Sequence, residues 1–267
     1  MITKIICSDI DGTLLNKERE LSDRTIKVIK DNSETPFILI SSRMPKAMVN
    51  LQRELEITHL PLIAYNGGLV IDNKDILHST EISNTITNVI YNFCKTTSLH
   101  ISLYHNNEWF VQELDYWANI EANNTKIKPQ INPIKNTINR WESKSKGAHK
   151  IMCMGDENEI DTLILFLEEH YPNDIIGYRS KSTYLEIAPK DISKKTAIEL
   201  LLKLKYPKLN LNNVIAFGDN YNDIEMIKAV GIGVAVNNAK PELLVVSNHT
   251  TLSNINDGVA VFLENYF

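Results

Sequence analysis

A chain of 267 residues that is 43% hydrophobic and 23% charged has the balance of a globular protein with one large or two ordinary domains. Its formal net charge of -5 argues against nucleic acid as a partner, because a phosphate backbone calls for a basic face. No apolar run reaches transmembrane length, so no membrane partner is expected; Asp9 and Asp11 also interrupt the apolar start where a secretory leader would continue.

The first strand expected is "KIICSDI", which closes on Asp9 and Asp11 and is followed by Gly12 and Thr13. A helix over Asp23 to Lys30 follows, then the strand "PFILISS", a helix from Pro45 to Leu55 and the strand "PLIAYNG". After a long middle segment the same alternation resumes. It gives a helix from Lys194 to Lys205, the strand "NVIAFGD", a helix over Asp223 to Lys228, the strand "GIGVAV" and a helix from Gly258 to the end. These strands are almost continuously apolar, as expected where helices cover both faces of a parallel sheet, so the fold class is α/β, doubly wound.

The middle segment, residues 83–187, has another texture. "HISLYHNNEWFVQEL" alternates about Asn106 and Asn107 and reads as a hairpin, and "IIGYRSKSTYLEIAP" reads as a second one. Between them lie the strand "HKIMCMG" and a helix from Glu157 to His170, which together suggest an inserted α+β module between core segments 1–82 and 188–267. All three tryptophans (Trp109, Trp117 and Trp141) fall inside it, and core or hairpin pairing accounts for them better than a substrate platform does. Cys7, Cys94 and Cys153 are scattered along the chain, which suits reduced core thiols in a cytoplasmic protein. The seven histidines show no metal-ligand spacing.

Ligands of an open parallel sheet bind outside the carboxyl ends of its strands, and the polar residues gather there. One strand end delivers Asp9 and Asp11, a second Ser41, Ser42 and Arg43, and a third Asp219, Asn222 and Asp223. Lys194 opens a helix, where an ammonium is unfavourable unless an anion sits beside it. This set suits phosphoryl transfer. A hard divalent cation, Mg2+, takes carboxylate and water oxygens. Hydroxyl and N–H groups hold phosphate oxygens, one aspartate attacks phosphorus, and another two residues on moves protons. Two charges at one strand end are tolerated because a cation is held between them.

The motifs "DIDGTLL", "ISSR", "ISKKTA" and "FGDNYNDIEM" stand in the order and strand-end positions of the haloacid dehalogenase superfamily. The whole chain resembles its Cof-type phosphatases, including "AYNGG", "GVAVNNAKPEL" and "NDGVAVFLE". A lone DxD is weak; four ordered motifs are specific. The resemblance implies a Rossmann-like core with a C2B-like cap at 83–187, Asp9 as nucleophile and Asp11 as general acid/base. It implies Ser41 on the phosphoryl group, with Gly12, Ser42 and Arg43 around it, and Lys194 rather than Lys195 fixing Asp9 and the phosphate. Mg2+ would be held by Asp9, the Asp11 carbonyl and Asp219, with Asn222 and Asp223 completing or orienting its shell and Asn66 facing the substrate. Ser42, Lys195 and Asn237 depart from glycines usual in this family; none of the acids departs.

The function expected is Mg2+-dependent hydrolysis of small phosphorylated metabolites, sugar phosphates or phosphorylated cofactors, by a monomer through an aspartyl-phosphate. A phosphomutase of the same superfamily is the alternative enzyme, returning the phosphoryl group to a sugar instead of to water. A phospho-accepting regulatory module of receiver type is the alternative outside enzymes, though it needs neither Asp11 nor so large an insert.

Overall fold

The computed structural model describes residues 4–267. The strands, in chain order, are β1 (Ile5–Ser8), β2 (Phe37–Ile40), β3 (Leu62–Ala64), β4 (Leu69–Asp72) and β5 (Asp75–Ser79). They continue with β6 (His100–His105), β7 (Glu108–Val111), β8 (Gln130–Ile131), β9 (Lys150–Met154), β10 (Ile175–Lys181) and β11 (Tyr184–Pro189), and end with β12 (Val214–Gly218), β13 (Ile232–Val236) and β14 (His249–Thr251). The chain divides into two compact units. One runs up to His78 and resumes over Ser193–Phe267; the other is Ser79–Ile192.

In the first unit the described residues form a sheet of order β14-β13-β12-β1-β2-β3-β4-β5. β1 lies near its middle, parallel to β12 and β2. Alternation sends Ile5 and Cys7 to one face, where they join Ile38, Ile40, Val214 and Ala216 against the helices Lys194–Lys205, Ile224–Ala229 and Pro241–Val246. Phe217 turns to the other face and meets Phe262 of the helix Gly258–Tyr266, ring centroids 5.4 Å apart. Both faces are therefore covered, which is why these strands carry no polar alternation.

The sheet is not wholly parallel. β4 runs antiparallel to β3, because the short 3-10 turn Tyr65–Gly67 reverses the chain with Asn66 at φ 55° and Gly67 at φ 109°. A Cβ on Gly67 would lie 2.6 Å from the Ser193 carbonyl oxygen, so this turn needs its glycine. β1 also stops at Ser8, before the two aspartates.

The second unit holds a sheet of order β10-β11-β9-β6-β7-β8. Ile101, Leu103, Phe110, Ile151, Cys153, Leu185 and Ile187 form its apolar face, packed with residues of the helices Asn84–Lys95, Ile134–Glu142 and Glu157–His170. Trp141 lies in that core, and Trp109 stacks on its cross-strand neighbour Tyr104, 5.5 Å between centroids. Cys94 and Cys153 are buried free thiols with their sulfurs 3.7 Å apart. The unit extends beyond 83–187 at both ends for identifiable reasons. The Glu81 carboxylate accepts from the Gly147 N–H, Ile82 bridges to Ala148, and β11 stays paired with β10 up to Pro189.

Ile151 is fully buried at the centre of this second core. Ile151→Ala is expected to cost about 2–5 kcal/mol through lost transfer energy and a residual cavity, read as a lowered urea midpoint.

Candidate active site

Strand register alone brings three chain segments to one edge of the first unit. Ser8 is opposite Phe217 on one side and Leu39 on the other. The next residues out are Asp9, then Gly218 and Asp219, then Ile40 and Ser41. The Asp9 N–H still donates to the Phe217 carbonyl at 3.1 Å, and the Ser41 N–H to that of Ile63 at 3.0 Å. The ladder thus fixes both residues although the strands have ended.

Lys194 is the first residue of its helix, whose N-cap Ser193 forms a reciprocal capping box with Thr196. Its ammonium is fully buried and stands 2.6 Å from Asp9 Oδ1 and 2.6 Å from Asp223 Oδ1. Burial alone would push this ammonium down, but the carboxylates of Asp223 and Asp9 reverse that and hold it above the ordinary lysine range. Lys195, one residue on, instead reaches Glu199 at 3.5 Å on the helix surface.

The other oxygen of Asp223 accepts from the N–H groups of Asp219 and Asn220, each at 3.0 Å. Three donors therefore engage Asp223. It anchors the loop after β12 and orients Lys194. Asp219 receives a hydrogen bond from the Thr13 hydroxyl at 3.2 Å. Gly12 lies against it at φ 84°, and a Cβ there would fall 2.4 Å from Asp219 Oδ2. The Gly12 carbonyl in turn accepts from Asn238 Nδ2 at 2.8 Å.

Carboxylate oxygens of Asp9, Asp219 and Asp223 lie within 4.8 Å of one another. Burial first, then the neighbouring Asp223, pushes the Asp219 carboxyl up to about 7. Burial likewise raises Asp9 well above the carboxylate range; Asp223 and Asp219 add to this and Lys194 opposes it. Three carboxylates thus share one ammonium, an excess of negative charge that an oxygen-seeking divalent cation would neutralise. The donor set fits such an ion.

Asp11 sits beyond the strand, so an extended backbone does not place it. Two arginines do. Arg43 Nε donates to Oδ2 at 2.6 Å and Arg43 Nη2 to Oδ1 at 2.7 Å, while Arg19 Nη2 donates to Oδ1 at 2.5 Å. Burial opposes ionisation of Asp11, but the Arg43 hydrogen bonds and charge, with those of Arg19, outweigh it and hold the carboxyl below its usual range. Arg43, expected at the phosphate, is thereby engaged with Asp11.

Ser41 is buried; its hydroxyl accepts from the Arg43 N–H at 3.2 Å and its carbonyl from the Asn66 N–H at 2.9 Å. Asn222 Nδ2 donates to Asn66 Oδ1 at 3.0 Å, joining two residues far apart in sequence. Ser42 is half-buried. Sequence reasoning missed Thr13, Arg19 and Asn238. Thr13 sits inside the quoted motif and was within reach, but Arg19 lies in the charged run "KERE", which reads as a solvated turn.

Comparison with known proteins places this arrangement among relatives. A family profile described as haloacid dehalogenase-like hydrolase matches residues 6–263. A Haemophilus influenzae protein with a provisional phosphatase name is 33% identical over 272 residues, 100% of this chain and 99% of that protein. The Bacillus subtilis 5-amino-6-(5-phospho-D-ribitylamino)uracil phosphatase YitU is 22% identical, covering 98% of this chain and 97% of its own. Among solved structures, a haloacid dehalogenase-like hydrolase from Bacteroides thetaiotaomicron superposes with a TM-score of 0.90 at 29% identity, over 99% of each chain.

Lys194→Met keeps much of the side-chain shape but removes the ammonium between Asp9 and Asp223. Breaking such a buried pair is expected to destabilise the protein by about 3–5 kcal/mol, measured by chemical denaturation.

Proposed function

The chain belongs to the haloacid dehalogenase-like hydrolases, as a Cof-type phosphatase acting on small phosphorylated substrates, and on that footing we propose its mechanism. It hydrolyses phosphate monoesters through a phosphoryl group carried transiently on Asp9. The observation that carries this is the buried Lys194 ammonium held between Asp9 and Asp223, in a site with more carboxylates than cations. Mg2+ would be held by Asp9, Asp219 and the Asp11 carbonyl, and it would supply charge neutralisation to the phosphate oxygens. Asp223 and Asn222 would orient that shell; the three donors on Asp223 support an orienting place for it.

In the first half-reaction an Asp9 oxygen bonds to phosphorus and the bond from phosphorus to the substrate oxygen breaks. The Arg43 and Arg19 contacts hold Asp11 ionised in the free protein, so it would have to take up a proton in the substrate complex. It would then give that proton to the leaving oxygen. In the second, Asp11 takes a proton from water as the water oxygen bonds to phosphorus. The bond from phosphorus to Asp9 breaks, restoring the carboxylate and releasing inorganic phosphate. Lys194 fixes the Asp9 carboxylate and offsets charge on the transferring group; the buried Ser41 hydroxyl and N–H groups near it hold phosphate oxygens. These groups are generic to any phosphate and by themselves do not discriminate among leaving groups. Sugar phosphates or phosphorylated cofactors are the proposed substrate class, and the Bacillus subtilis relative, named for a small phosphorylated ribitylamino-uracil, supports a small phosphorylated metabolite.

Phosphate release across a panel of such monoesters tests this reading. Turnover is expected with Mg2+, none after chelation, and inhibition by Ca2+, whose longer bonds and larger coordination number would misplace Asp9. Asp9→Asn should abolish phosphate release with the fold intact, and Asp11→Asn should lower it by roughly 10²–10⁴-fold. Isomerised sugar phosphate without free phosphate would point to a mutase instead.

The metal has a pH signature. In the metal-free protein, ionising Asp219 beside Asp223 lowers stability progressively as pH rises from the ordinary carboxylate range to about 7. A bound cation removes that penalty and displaces the proton. Mg2+ should therefore raise the melting temperature more at about pH 8 than at about pH 5. An equal shift at both would argue against these ligands.

A further inference from the structure

Arg19 is a left-handed residue, φ 63°, in a loop closed on itself. The Asn16 N–H donates to the Glu20 carbonyl at 3.0 Å, the Arg19 N–H to the Asn16 carbonyl at 3.0 Å, and the Glu20 N–H to Asn16 Oδ1 at 2.9 Å. The base of the loop is fixed too, between buried Leu15 and buried Leu21, and Asn254 Nδ2 donates to the Leu15 carbonyl at 2.8 Å. A non-glycine residue at positive φ is uncommon, and such outliers point toward function when the surrounding structure holds them in place. What this loop holds in place is one guanidinium against Asp11.

The two Asp11 oxygens are not equivalent. Each carboxylate oxygen accepts two hydrogen bonds in its plane. The Arg43 fork gives one donor to each, through Nη2 to Oδ1 and Nε to Oδ2, and by itself leaves the two alike. Arg19 adds its donor to Oδ1 only. Oδ1 is then saturated, and Oδ2 keeps one site open. We infer that Arg19 is a positioning residue for the reaction: by filling Oδ1 it makes Oδ2 the oxygen of Asp11 that meets the leaving group and the attacking water. The inference rests on the acid/base role of Asp11 proposed above. The pair is 39% and 34% exposed, so the alternative is an ordinary surface ion pair that contributes little and orients nothing.

A double-mutant cycle separates these possibilities, with kcat and KM measured on p-nitrophenyl phosphate for the wild type, Arg19→Gln, Asp11→Asn and the double variant. Arg19→Gln is expected to lower kcat about tenfold and change KM less than about twofold, since it disturbs the orientation of an acid/base group and not substrate binding. In the Asp11→Asn background the same substitution should change kcat by less than about twofold, because the group it orients is gone. Arg19→Lys, which keeps a donor and the charge, should recover part of the loss and so exclude a folding effect. A wild-type kcat in Arg19→Gln, or an equal loss in both backgrounds, overturns the inference while leaving the hydrolytic mechanism standing. A wild-type kcat in Asp11→Asn overturns both.

Discussion

Lys194 Nζ, buried beyond the reach of solvent and 2.6 Å from both Asp9 and Asp223, is the interaction around which the first unit is arranged. A lone ammonium or a lone carboxylate in that position would be driven to neutrality by desolvation. Beside Asp223 and Asp9 the Lys194 ammonium is held charged, and each group fixes the others in place. Asp9 is held at the end of β1, Asp223 holds the backbone after β12, and the capped helix starts where its first residue must reach both. Burial and the neighbouring Asp223 push the Asp219 carboxyl up as well, so one ammonium does not offset the whole cluster. The cluster holds more carboxylates than cations, so the divalent cation proposed above would both stabilise it and prepare it for a phosphate.

The sheet supplies the precision. Parallel pairing in register makes β1, β2 and β12 end together, so residues from positions 9, 41 and 219 meet without any long-range loop to order. Loops built on such strand ends inherit the stiffness of the sheet, which suits a mechanism that depends on placement. Gly12 shows how tight the result is, since any side chain there would occupy the space of the Asp219 carboxylate.

Asp11 is held by a different principle. Its neighbour two residues back is fixed by backbone hydrogen bonds, whereas Asp11 is fixed by side chains from two other parts of the unit. For the acid/base role proposed for Asp11, partners that can shift with the group are an advantage. The guanidinium fork of Arg43 donates to both oxygens of Asp11, and the exposed Arg19 adds its donor to Oδ1 alone. The pair of aspartates in one short motif thus has two kinds of environment, one rigid and buried, the other partly open.

The sequence by itself determined the alternation of strands and helices, because apolar runs bounded by turn residues carry that information locally. Lys194–Lys205 and Glu157–His170 lie where the sequence places them. It also determined which acids and hydroxyls gather at strand ends and that Lys194 opens a helix, since periodicity locates the ends and chemistry names the residues. It did not reveal β4 and β5, whose direction hangs on left-handed backbone at Tyr65 and Asn66 and on Gly67, nor the helix Asn84–Lys95, whose apolar positions are diluted by asparagine and threonine. The partners of each charge were equally out of reach. Arg43 could serve a phosphate or a carboxylate, and Arg19 in "KERE" looks like any solvated turn. Only tertiary structure decided these, because a side chain's partner depends on which segments the fold brings within about 3 Å, a distance that hydrogen bonding requires and linear spacing does not encode.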